Sequence, residues 1–236
     1  MSSDIDNIVA TFGSDESAFM ELTGQAATPK SEGLSRLNIN YDTETEDGET
    51  LTRGDWKMMY LGEMVYAKEI LIKPILRTFE WSIFDAEQGV FSSKSVQKPT
   101  MSGDFPDTEG GNKCGRLSQD EEDKLKDDDP LKIKSRSAVC NQVLYSKVSG
   151  KFRKANGEEV EISEHPAVAY FKRSGFLPIR NFIDSLTRQK KIMQKCWISL
   201  KTDKKKRGSV TYFVPVPTLS SETDILDEDK ELMKKF

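Results

Sequence analysis

Residues 63–85 read EMVYAKEILIKPILRTFEWSIFD, and the fold turns on them. Val, Ile, Leu, Tyr, Phe and Trp dominate this stretch with polar residues set singly between them, which is strand character. Toward its end Arg77, Phe79, Trp81 and Ile83 recur at every second position and so share one face. Pro74 has no N–H to give a ladder, so the strand is expected to bend or break there. Turn residues at Asp85 to Gly89 lead into a second run, VFSSKSVQ at 90–97.

The pattern extends in both directions. Upstream, LSRLNINYD (34–42) alternates Leu37, Ile39 and Tyr41 against Arg36, Asn38 and Asn40, and Asp47-Gly48 signals a turn before another candidate strand at Asp55 to Leu61. Downstream, strand character resumes after Pro130 in IKSRSAVCNQVLYSKVSG (133–150). Asn156-Gly157 marks a hairpin turn before AVAYFKRSG (167–175). One segment departs from this. Phe176, Ile179, Phe182, Ile183, Leu186 and Met193 fall at steps of three and four among polar residues, which predicts an amphipathic helix with Pro178 in its first turn. Two β-rich runs, KCWISLKT (195–202) and GSVTYFVPV (208–216), then flank a KKKR turn, and Pro215 and Pro217 suit an edge strand. Residues 98–130 form a long acidic loop. The expected organisation is an acidic arm over 1–33, a β-rich domain over 34–220 and an acidic tail over 221–236, both arms disordered.

Composition narrows the function classes. Of 236 residues 36% are apolar and 31% charged, so part of the chain should lie outside any core. Cys114, Cys140 and Cys196 are odd in number and widely spaced, which argues against a disulfide framework and for a reducing compartment. His165 is the single histidine, so neither zinc-ligand spacing nor a catalytic triad is apparent. The N-terminus lacks the basic and apolar regions of a signal peptide, and no run of about 18 apolar residues predicts a membrane span. The EGGNKCG stretch lacks the spacing of a phosphate loop. Acids at Asp120–Asp123 and Asp127–Asp129 could in principle hold divalent cations, but a solvated acidic linker is the plainer reading. The expectation is a non-enzyme without cofactor or metal.

Charge is distributed unevenly. The whole chain carries 39 acids against 35 bases, yet residues 151–207 hold 15 bases and six acids. Clustered cations of this kind neutralise phosphates and release counterions. Aromatics are interleaved with them, and ring platforms beside cations on a sheet suit a single strand, whose bases stack and whose phosphates need neutralising. The candidate nucleic-acid contacts are Trp56, Tyr60, Arg77, Trp81, Lys172, Arg173, Lys201, Lys204, Lys205, Lys206, Arg207 and Tyr212.

The order of DTEGGNKCG, VLYSKVSG, AYFKRSGFLPIRNFIDSL, WISLKTDKKKRGSVTYFVPV and an acidic tail resembles the single-stranded DNA-binding proteins of tailed bacteriophages. The resemblance covers about residues 34–220. It implies a mainly β, OB-fold-like barrel, closed or partly open, with one amphipathic helix. It also implies a non-catalytic protein that coats single-stranded DNA during phage replication and recombination, in the cytoplasm of the infected bacterium. In that class an acidic tail ending in an aromatic residue contacts replication proteins and competes with DNA, which here points to Asp227, Glu228, Asp229 and Phe236. Lys234-Lys235 depart from that pattern. A virion structural or assembly protein is the alternative, and a metal-dependent nuclease a more distant one.

Overall fold

The computed structural model describes residues 34–85, 87–107 and 113–236; the expected N-terminal arm and the glycines of EGGNKCG at 110–111 lie outside them. Among the described residues there are nine strands: β1 (Ser35–Ile39), β2 (Trp56–Tyr60), β3 (Glu63–Ala67), β4 (Ile70–Asp85), β5 (Val90–Lys94), β6 (Val139–Lys154), β7 (Glu159–Phe171), β8 (Cys196–Arg207) and β9 (Val210–Glu222). Four α-helices are described: α1 (Gln119–Glu122), α2 (Pro130–Ser137), α3 (Phe176–Arg188) and α4 (Asp227–Lys235).

The protein is mainly β, and five strands close into a barrel. The ring runs β1-β2-β3-β6-β7 and returns to β1. Its strands follow one another in chain order, with β4, β5 and two helices inserted between the third and fourth. Four successive antiparallel pairings leave β7 pointing the same way as β1, as a five-membered ring requires. β6 is 16 residues long and serves twice, pairing with β3 and β7 in the barrel and with β4 in an extension that continues through β8 to β9.

The interior holds Leu37, Trp56, Met58, Val65, Ile70, Ile72, Leu144, Phe152, Ile162 and Phe171. Ile179, Ile183 and Leu186 of α3 join this core, so the predicted apolar face closes one side of it. Burying each such side chain contributes about 1.5–3 kcal/mol.

Several local expectations hold and others are corrected. Gly48 and Gly157 take positive φ in the predicted turns. The long run breaks at Lys68-Glu69 between β3 and β4, and the expected irregularity near Pro74 is a bulge just after it, at which the β4–β6 register skips Ile75. That residue's carbonyl accepts a hydrogen bond from Gln194 Nε2 at 3.3 Å. The strand after Pro130 begins at Val139, because Asp129 caps a helix whose first residue is Pro130. Part of the acidic loop is likewise helical, under a capping box of Ser118 and Glu121. The C-terminal tail is not a disordered arm: most of it forms α4, seated on the barrel's outer face.

Candidate nucleic-acid interface

Strand alternation puts every second residue of β4, β6 and β7 on the outside of the sheet. Lys73 pairs with Lys147 in register, Tyr145 with Val168 and Val143 with Tyr170. Lys73, Lys147, Tyr145 and Tyr170 therefore share one outer face. α4 covers the part that carries Lys73, Lys147 and Tyr145. Asp229 is 1% exposed, and Lys73 Nζ donates to its carboxylate at 2.6 Å while Lys147 Nζ lies 2.8 Å away. Lys73 also donates to the carbonyl of Asp224, and Lys147 to Glu164. Burial alone would raise the Asp229 pKa. The hydrogen bonds from Lys147, Lys73 and the Leu226 N–H outweigh it and bring the carboxyl down to about 2. At the end of the helix, the Phe236 ring stacks on Tyr145 with centroids 4.8 Å apart, and the Tyr145 hydroxyl donates to Gln97.

Beyond the helix the same face carries further cations around Tyr170, of which Lys94 also pairs with buried Glu80 at 3.4 Å. The Arg36 guanidinium lies 4.8 Å from the Tyr170 ring centre and the Lys94 ammonium 5.6 Å, both within cation–π range. Lys172 and Arg173 follow directly where β7 ends. Arg173 has φ 49°, a left-handed conformation that costs a residue with a Cβ about 1–2 kcal/mol. Among the described residues no carboxylate is in ion-pair distance of Arg36, Lys172 or Arg173. Burial, together with the charges of Arg173 and Arg36, holds the Lys172 ammonium below the usual lysine range. These cations are crowded, with no counter-ion among the described residues.

Next to them lies a cavity of about 370 Å³ bounded by β1, β7, the chain leading into α3, and the base of the β8–β9 hairpin. Tyr41 and Phe213 meet edge-to-face at 5.8 Å on one side, and Tyr170, Lys172 and Pro215 are on the others. Gly175 belongs to the wall because a Cβ there would sit 3.6 Å from the Pro215 ring.

The hairpin rises from this cavity and turns through Gly208, φ 60°, in the two-residue loop between Arg207 and Val210. Its alternation divides the KKKR run. Lys204 and Lys206 lie opposite Phe213 and Thr211, on the face that reaches the cavity, whereas Lys205 and Arg207 lie opposite Tyr212 and Val210 on the other. Lys205 is held by Asp203 at 2.6 Å and Lys201 by Glu69 at 3.1 Å.

Of the residues singled out from sequence, Lys172 lines the cavity with Arg173 next in the chain, and Lys204 pairs with Phe213 of its wall, with Lys206 following on the same hairpin face. Trp56 is corrected, and Tyr60, Arg77 and Trp81 are placed elsewhere. Trp56 is 1% exposed with its indole N–H donated to the Leu200 carbonyl, so no ring face is left for a base. Tyr60 packs edge-to-face on His165 against the core. Arg77 is turned inward, bonded to Gln142 and 3.6 Å from Asp184 of α3. Trp81 is half-buried against a second apolar cluster of Ile83, Cys114 and Ala138, with Lys113 and Arg116 each 5.9 Å from its ring. Tyr212 is half-buried on the far face of the hairpin. In the tail, Asp229 and Phe236 face the barrel, Glu228 lies 3.6 Å from Lys147, and Asp227 pairs with Lys230.

Sequence reasoning missed Arg36, Lys73, Lys94, Tyr145 and Lys147, which were legible only as isolated polar or aromatic residues inside strand patterns. The acidic segment Asp120–Asp129 is used locally: Glu122 is buried near Arg116 and Arg136 and accepts from Ser135, and Asp127 lies 3.0 Å from Lys132. Among the described residues no group of three or more His, Cys, Asp or Glu is placed to hold a metal ion, and no helix is long and apolar enough to cross a membrane.

Comparison with protein-family models, with curated proteins and with solved structures finds no match to this chain.

Proposed function

We propose that this protein binds single-stranded DNA without catalysing a reaction on it. The observation that carries this reading is the cation set Arg36, Lys172 and Arg173, without an ion-pair partner among the described residues and beside Tyr170, on the face where α4 lays a carboxylate on two lysines and an aromatic ring on Tyr145. A strand of nucleotides offers the same chemistry in alternation, an anion and then a flat ring. Its path would run from Tyr145 past Tyr170 to Lys172 and Arg173, and on to Lys204 and Lys206. The closed barrel is compatible with an OB-fold, an architecture suited to such a role. Coating of DNA in phage replication and recombination, in the host cytoplasm, follows from the resemblance described above. On this reading α4 competes with DNA for Lys73, Lys147 and Tyr145, and when displaced it is free to meet replication proteins.

Fluorescence titration of poly-dT with the full chain and with a chain ending at Ser221 tests the proposal. Expected are preference for single over double strands, affinity that falls steeply with salt, and tighter binding by the shortened chain. Absence of binding by both forms at low salt overturns it. A virion assembly role draws instead on the apolar tip of the β2–β3 hairpin, where Met59, Leu61 and Met64 are exposed; co-sedimentation with particles and not with DNA would favour that reading.

A further inference from the structure

The cavity beside Tyr41 has a shape and a charge distribution that an evenly spread polymer-binding surface does not need. It is enclosed on its inner sides by Leu37, Phe171, Phe213 and Pro215, and its volume of about 370 Å³ is in the range of small-ligand sites. Tyr41 is 46% exposed at its margin, against the edge of Phe213. Cations stand at one side only: Lys172 lines the cavity, with Arg173 next in the chain and Arg36 close enough to influence its charge. Lys57 also lines it, but Asp42 at 2.6 Å already balances that charge. The result is an apolar, aromatic slot with a surplus of positive charge at one lip. α4 does not line it, so the slot is accessible while the tail is docked.

We propose that this cavity seats a single nucleotide, with its base against Tyr41, Phe213 and Pro215 and its phosphate at Lys172, Arg173 and Arg36. The inference rests on the strand-binding reading for its ligand class and sharpens it. One nucleotide of the strand is anchored in a built pocket and the remainder is held by stacking and charge along the open face. Such an anchor fixes the register of the strand on the protein. The ligand could be a nucleotide within a strand or a free mononucleotide, since both present a planar ring and a phosphate.

The test uses the full chain and backbone amide NMR, with dTMP, thymidine, inorganic phosphate and a dT oligonucleotide of about 20 residues as probes. Saturable shifts with dTMP at Tyr41, Lys172, Ser174 and Gly175 are expected. Thymidine and phosphate should each bind at least about tenfold more weakly, because each satisfies one half of the site. Tyr41→Ala and Lys172→Ala should each weaken dTMP about tenfold while leaving the remaining amide spectrum in place. Lys172→Arg should restore most of the loss, which separates a charge role from a packing role. No saturable shift with dTMP, or equal dTMP affinity in all variants, overturns the pocket. If the oligonucleotide binds in that case, the strand-binding reading survives without its anchor. If dTMP binds as expected and the oligonucleotide binds no more tightly, the pocket stands as a free-nucleotide site and the strand-binding reading falls.

Discussion

Lysines of β8 and lysines of β4 and β6 occupy opposite environments. In β8, Lys204, Lys205 and Lys206 are consecutive and exposed on a projecting ribbon, where charge is cheap to keep and a partner is optional. Lys73 and Lys147 stand alone in apolar strands, only 2% and 3% exposed, and converge on one carboxylate. Taking these ions out of water costs several kcal/mol each, so their stability depends on Asp229 being there. A run of cations marks where charge is displayed. A single cation inside a strand pattern marks where charge is bound in place.

The contrast breaks most visibly at Asp229. Asp229→Ala leaves the buried Lys73 ammonium without a counter-ion and Lys147 with only Glu164 and Glu228, a defect worth up to about 3–5 kcal/mol. Because α4 can lift and let water reach them, the expected outcome is undocking of residues 227–235 while the barrel stays folded. Hydrogen exchange should show amide protection lost in α4 and kept in β4 and β6; unchanged protection of α4 would contradict the account. Alanine at Lys204 and Lys206 should leave the unfolding midpoint where it is.

Acid offers the same break without a mutation. The Asp229 carboxyl titrates at about 2 when docked, below an unfolded aspartate near 3.9. Its contribution is therefore complete above roughly pH 4 and is lost as the pH falls toward 2. Undocking followed through the Tyr145–Phe236 contact should track that window. In Asp229→Asn the remaining contact should show no step there.

That Lys73 and Lys147 escaped the sequence reading has a physical reason. Periodicity reports which residues alternate, and both fit the alternation of β4 and β6, but the partner that makes them matter is Asp229, 156 residues beyond Lys73 in the chain. Nothing local encodes that pairing. The β-rich class, the α3 face and the hairpin turns were legible because each depends on residues within a few positions of one another. Trp56 was misplaced for the converse reason: a tryptophan in a strand next to Lys57 looks the same whether its ring faces bases or, as here, Phe171 at 6.4 Å. The helix after Pro130 did have a local signal, since Asp129-Pro130 is an N-cap followed by a favoured first residue, and it was outweighed by the apolar run beyond it.

Smaller effects sharpen the comparison. Phe236→Ala removes a stacked ring pair, which is worth about 0.5–1.5 kcal/mol beyond area, so α4 should open about two- to tenfold more often by hydrogen exchange. Within the KKKR run, Lys204 and Lys206 share the face of Phe213, whereas Lys205 is already held by Asp203. Under the proposed function, alanine at Lys204 and Lys206 should reduce the slope of log affinity against log salt by about 1.4, or 0.7 for each lost phosphate contact on a single strand. Alanine at Lys205 and Arg207 should change it less. Equal slopes for the two pairs would mean that strand alternation does not decide which cations meet phosphate.

The distance along the chain between Lys73 and Asp229 also sets an order of events during synthesis. At roughly 5–20 residues per second, the 156 residues between them take about 8–30 s to emerge. A nascent barrel must therefore keep Lys73, and later Lys147, hydrated until the last helix arrives. For that interval the face carrying Tyr145 is exposed and Lys73 lacks its counter-ion, so a newly made molecule passes through an open state that the finished one reaches only by releasing α4.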